Sequence, residues 1–183
     1  CTPDGRQVLT CAMDGSIVAW DARTFNRLGG CQLDYAAGAG LCISPDGRQL
    51  AAARVDQKIE LRSLPGLEII GVLKVKDLMG STRVNFSELA WTSDSRFLIA
   101  ATNLRAAPLW EPPGEFPISM LNVPAVQGSV AAMSADRMAV ASSDGISILD
   151  TQSWTEASRV SEILRKETVG GILLWWQRAS PSC

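Results

Sequence analysis

Thr2-Pro3-Asp4-Gly5-Arg6-Gln7-Val8-Leu9 and Ser44-Pro45-Asp46-Gly47-Arg48-Gln49-Leu50-Ala51 are near copies of each other, set 42 residues apart. Two weaker copies follow, Thr92-Ser-Asp-Ser-Arg-Phe-Leu-Ile and Ser134-Ala-Asp-Arg-Met-Ala-Val, which place Asp94 and Asp136 at further steps of 48 and 42 residues. A fixed period of this size marks one supersecondary unit repeated along the chain, and roughly 40–45 residues holds four short strands and their turns. The 48-residue step leaves room for an insertion in the third interval.

The residues around each copy give the same punctuation. An apolar run precedes the turn, as in Leu41-Cys-Ile-Ser44 and Leu89-Ala-Trp-Thr92. Proline then presets φ for the first corner, aspartate caps its own backbone and glycine accepts positive φ. A second run rich in Val, Leu, Ile and Ala follows: Gln7 to Met13, Gln49 to Val55, Phe97 to Thr102 and Met138 to Ser142. Asp14-Gly15, Asp56-Gln57 and Asp144-Gly145 come next, and Asp-Gly between apolar runs is a strong hairpin signal. The third run is Ser16 to Asp21, Lys58 to Ser63, Ala107 to Glu111 and Ile146 to Asp150. Within it Glu60 alternates with Ile59 and Leu61, which predicts that Glu60 faces solvent. Pro65-Gly66 and Leu67 to Val75 supply a final turn and a fourth strand.

On these residues the chain resembles the WD40-repeat β-propeller family. Asp14-Gly-Ser-Ile-Val-Ala-Trp20-Asp21 matches the end of such a repeat, and Trp110-Glu111 is its conservative version. Arg62-Ser63 and Leu149-Asp150 stand at the same place in degenerate form. The structural motif set is therefore Asp14, Trp20, Asp21, Asp56, Trp110, Glu111, Asp144 and Asp150. The resemblance implies an all-β fold of four-stranded antiparallel blades, about four of the seven that close a typical ring. The expected blades cover residues 1–34, 41–75, 86–122 and 129–155. Family members often carry a histidine that joins the turn aspartate and strand tryptophan in a buried network. This chain has no histidine, so the network is incomplete in every blade, and the same turns also resemble TolB-like and dehydrogenase-like propellers. Cys1 stands in mid-motif, which predicts that the rest of the ring lies in sequence outside this chain or in a partner chain.

Composition narrows the chemistry. Seventeen basic and 19 acidic residues leave a net charge of −2, without the basic stripe that nucleic-acid binding needs. Without histidine the chain lacks the commonest general base and metal ligand, and no G-x-S-x-G elbow is present. The five cysteines, Cys1, Cys11, Cys31, Cys42 and Cys183, form no C-x-x-C pair and read as reduced thiols packed in strands. Gly38-Ala-Gly40 leads into a strand rather than a helix, so it is an interblade loop and not a phosphate cradle. No metal, no cofactor and no catalytic residue is expected. The apolar run Val169 to Trp176 is far shorter than the roughly 20 residues that span a bilayer, so no membrane role is expected.

Residues 156–183 form a tail in which the pattern changes. Ala157, Val160, Ile163 and Leu164 suit a short amphipathic helix over 156–167, while the first half equally suits a fourth strand. Ile172 to Trp176 reads as a strand that opens a further blade.

A rigid frame with binding loops at its rim and no catalytic constellation predicts a protein-interaction scaffold within a larger assembly. The alternative is a regulatory or substrate-recruiting propeller attached to an enzyme encoded outside this sequence. The loops Asp34 to Gly40 and Lys76 to Val84 nominate Tyr35 and Arg83 as partner contacts, and Arg105 and Trp176 join them. The expected location is intracellular, cytoplasmic or nuclear.

Overall fold

The computed structural model describes residues 1–35, 37–75, 84–104, 106–122, 129–134, 136–142 and 145–160. Among them, every regular element is a strand. The first sheet holds β1 (Gln7–Cys11), β2 (Ser16–Asp21) and β3 (Arg27–Gln32). The second holds β4 (Ala37–Ile43), β5 (Gln49–Arg54), β6 (Lys58–Ser63) and β7 (Ile69–Lys74). The third holds β8 (Phe86–Trp91), β9 (Leu98–Thr102), β10 (Ala106–Trp110) and β11 (Ser119–Asn122). The fourth holds β12 (Ser129–Ser134), β13 (Arg137–Ser142), β14 (Gly145–Asp150) and β15 (Glu156–Val160). Each sheet is an antiparallel meander, with sequence neighbours paired in order.

Three apolar layers between successive sheets hold these blades together. Leu9, Ile17, Ala19 and Leu33 of the first pack on Leu50, Ala52 and Leu67 of the second. Ala51, Ala53, Ile59, Leu61 and Leu73 pack on Leu89, Trp91, Leu98 and Trp110 of the third. Ile99, Ala101 and Leu109 pack on Val130, Met138, Val140 and Leu149 of the fourth. The interior strands β5 and β9 therefore bury both faces, since successive side chains point to opposite sides. That explains their unbroken runs Leu-Ala-Ala-Ala and Leu-Ile-Ala-Ala. A fully buried Leu or Ile here contributes about 1.5–3 kcal/mol. The result is an incomplete β-propeller.

The turn that leads into β1 and the turns between first and second strands of the other three sheets share one device. The hydroxyls of Thr2, Ser44, Thr92 and Ser134 donate to the carboxylates of Asp4, Asp46, Asp94 and Asp136 at 2.6, 2.5, 2.5 and 2.7 Å. The backbone N–H groups of Arg6, Arg48 and Arg96 donate to the same aspartates at 3.0 Å. Over Glu156–Val160 the chain forms a strand and not a helix, because β14 presents an edge that Glu156 to Val160 pairs along. Residues 161–183, and with them the predicted further blade, lie outside the described residues.

Candidate protein-interaction rim

The antiparallel order sorts the connections to two ends. The aspartate-capped turns lie at one end, together with the turns that join β2 to β3 and β6 to β7. The hairpins Ala12–Gly15 and Val55–Gln57 lie at the other, with the crossing from β3 to β4. At this second end the Leu33 N–H donates to the Gly15 carbonyl at 2.9 Å, which ties the crossing to the first hairpin. The Arg54 guanidinium stacks 4.6 Å from the centre of the Tyr35 ring, and the Lys58 ammonium lies 5.9 Å from it. The structure thus brings together Tyr35 and Asp56, which sequence reasoning named separately. Tyr35 remains 51% exposed, and Met13 at 86% and Val55 at 41% stand on the two hairpins of this end.

Under this rim runs a ladder of buried charge that the sequence did not disclose. Glu60 was expected to face solvent, yet it is fully buried. Its carboxylate accepts from Arg54 Nη1 at 3.0 Å and from Arg62 Nε at 2.6 Å. Arg54 also donates to both oxygens of Asp56, at 2.9 and 2.8 Å, and Lys58 pairs with Asp56 at 3.1 Å. The alternation in β6 is real: Ile59 and Leu61 face the third sheet. The opposite face meets the first sheet rather than water, so a carboxylate there requires partners. Burial works against the charge on Arg54, but Asp56 and Glu60 outweigh it and hold the guanidinium above its ordinary value. Burial likewise raises Asp56, and the donors Arg54 and Lys58 overcome it, leaving the carboxyl below the usual range.

The tryptophan position of the repeat faces the preceding blade. Trp110 is fully buried and donates its indole N–H to the Lys74 carbonyl at 3.4 Å. Arg62 takes the same place one blade earlier and donates to the Gln32 carbonyl at 2.8 Å and to the Leu67 carbonyl. Trp20 is half-buried and donates instead within its own sheet, to the Thr10 hydroxyl at 2.9 Å. Asp21 and Asp150 cap the turns that follow. Asp21 accepts from the N–H groups of Arg23 and Thr24 at 2.9 and 2.7 Å, and Asp150 from those of Gln152 and Ser153 at 3.0 and 2.9 Å. Asp14 accepts from the Ser16 N–H at 2.8 Å, and Glu111 pairs with Arg96 at 2.7 Å. Asp144, Arg83, Arg105 and Trp176 lie outside the described residues.

Burial pushes the thiols of Cys11, Cys31 and Cys42 up, away from the thiolate that a nucleophile requires. Among the described residues no group of three or more Cys, Asp or Glu could hold a metal ion. The rim is a surface of exposed apolar groups over fixed charges, an arrangement suited to docking.

The WD domain, G-beta repeat family model matches residues 1–21. No curated protein matches the chain in sequence. Kuenenia stuttgartiensis hydrazine synthase is similar in structure at a TM-score of 0.73 and 14% identity, over 86% of this chain and 46% of that one. U3-55K is similar at a TM-score of 0.72 and 16% identity, over 85% of this chain and 48% of that one. The chain thus spans about half the length of these two structures. At such identities the likeness shows the fold alone, and that fold is a β-propeller.

Proposed function

For a chain that opens with a WD40 repeat and folds as an incomplete β-propeller, we propose a non-catalytic role as a protein-interaction scaffold, a subunit or domain of a larger assembly. The observation that carries this reading is the junction of the first two blades. There Tyr35, Met13 and Val55 are each exposed at the same end of the blades, and a charge network holds Arg54 under the Tyr35 ring. WD40 domains generally bind other proteins, and a rigid rim of loops is how propellers present contacts.

The ring around this rim is completed by sequence outside the chain or by a partner chain. Phe25 supports that. It holds the same turn position as Leu67 and Trp154, with φ of 58° against 58° and 55°. Leu67 and Trp154 pack toward the preceding blade, whereas Phe25 is 76% exposed. The proposed setting is inside the cell, in cytoplasm or nucleus, where thiols such as Cys11 and Cys31 stay reduced.

The test is a binding comparison between the chain and a Tyr35→Ala, Met13→Ser variant against partners recovered with the full-length protein. Loss of those partners with an unchanged folding transition supports the reading. Full retention contradicts it.

A further inference from the structure

The charge pattern of the rim carries the reading one step further. Asp34 adjoins Tyr35, and its side chain is 67% exposed. Its only described cationic neighbour is Arg54, at 3.8 Å. Arg54 cannot turn outward to neutralise it, because that side chain is 4% exposed and is held by Asp56 and Glu60. Lys58 pairs with Asp56 at 3.1 Å, although its side chain is 37% exposed. The rim thus offers an exposed carboxylate and half a tyrosine ring, while both described cations beside them are already engaged. Met13 and Val55, on the two hairpins at the same end, are exposed as well.

On this basis we infer that the rim selects a protein segment in which an arginine or lysine sits next to an apolar side chain. The cation lies against Asp34 and the free part of the Tyr35 ring, since an aromatic face beside a carboxylate attracts cations twice over. The apolar neighbour covers Met13 and Val55. An acidic segment would need a cation that is not already paired, and among the described residues beside Tyr35 both cations, Arg54 and Lys58, are paired. The buried ladder contributes by holding Arg54 under the ring, so that Tyr35 keeps one orientation.

This inference rests on the docking reading above, and one experiment separates the two. Random heptapeptides displayed on phage are selected on the chain, and the enriched peptides are then measured singly against Asp34→Asn, Tyr35→Ala and Lys58→Met variants. Both altered acid and aromatic positions are exposed, so these variants are expected to fold. The expected outcome is enrichment of Arg or Lys beside an apolar residue. Binding should fall at least fivefold with Asp34→Asn and with Tyr35→Ala, weaken with added salt, and hold or improve with Lys58→Met. Peptides that depend on Tyr35 but carry acidic or uncharged residues would overturn the inference and leave the docking reading standing. No enrichment, or peptides indifferent to Tyr35, would overturn both.

Discussion

Arg62 and Trp110 occupy the same place in successive blades and make the same bond. Each donates across the blade boundary to the carbonyl of the residue that ends the last strand of the preceding sheet, Gln32 for Arg62 and Lys74 for Trp110. The guanidinium does what the indole does, with more donors, and uses those extra donors on Glu60 and the Leu67 carbonyl. An arginine at this position must bring a counter-charge with it, and Glu60 is that counter-charge.

Removing Glu60 therefore leaves Arg62 without its carboxylate partner in the interface, while Arg54 keeps Asp56. Glu60→Ala is expected to lower stability by about 3–5 kcal/mol, the range for breaking a buried ion pair from one side. Urea unfolding followed by tryptophan fluorescence measures it. A loss under about 1 kcal/mol would mean that water or rearrangement already screens the ladder.

The turn position shared by Phe25 and Leu67 gives a prediction of opposite signs. Both residues sit in the left-handed region, where a side chain costs about 1 kcal/mol or more and glycine does not. Phe25→Gly relieves that strain and surrenders little packing, so stability should rise by up to about 1 kcal/mol. Leu67→Gly relieves the same strain but empties a site in the layer between the first two blades, for a net loss of about 2 kcal/mol. The two unfolding midpoints should move in opposite directions.

Two glycines report the tightness of the packing. A Cβ at Gly30 would stand 2.5 Å from the Ile17 carbonyl oxygen, a backbone atom that cannot step aside. At Gly40 it would stand 2.8 Å from Cγ of Leu89, a buried core side chain rather than backbone, which must shift with its neighbours. Gly30→Ala should cost about 1–3 kcal/mol and Gly40→Ala less. Equal losses in thermal unfolding would argue against the described register of β2 and β3.

Acid should loosen the turns. At Asp46 burial raises the carboxyl, but the Ser44 hydroxyl and the Arg48 N–H outweigh it and hold it below the ordinary range, as Arg54 and Lys58 do for Asp56. A depressed folded-state value stabilises above the unfolded value of about 3.9 and is lost as pH falls through the folded one. The urea midpoint should hold steady between pH 5 and 7, on the order of the neutral range, and drop below about pH 4. Asp46→Asn should show a smaller drop. An acid-independent midpoint would contradict the capping role.

Much of this was legible from short-range chemistry. Pro-Asp-Gly, Asp14-Gly15 and Asp21 each act within a few residues, and the sequence periodicity placed the strands close to their observed positions. A finer signal lies in the repeat itself: a hydroxyl residue stands two positions before each of Asp4, Asp46, Asp94 and Asp136, namely Thr2, Ser44, Thr92 and Ser134. Glu60 departs from its expected solvent-facing place for a physical reason. Alternation reveals that a strand has two faces, and it does not reveal whether the second face meets water or another blade. Arg62-Ser63 looked degenerate because tryptophan and arginine differ in kind, although both can reach the same carbonyl. Tyr35 was singled out from its loop, but its stacking on Arg54 is a contact across 19 residues that no local pattern encodes.

The most direct test of the docking account is site-specific photocrosslinking in cells that express the full-length protein. A benzoylphenylalanine replaces Tyr35 at the rim, or Arg23 in the β2–β3 turn at the opposite end. The account expects discrete protein adducts from position 35 and none of the same adducts from position 23. Adducts shared equally by both positions, or none at position 35, would contradict it.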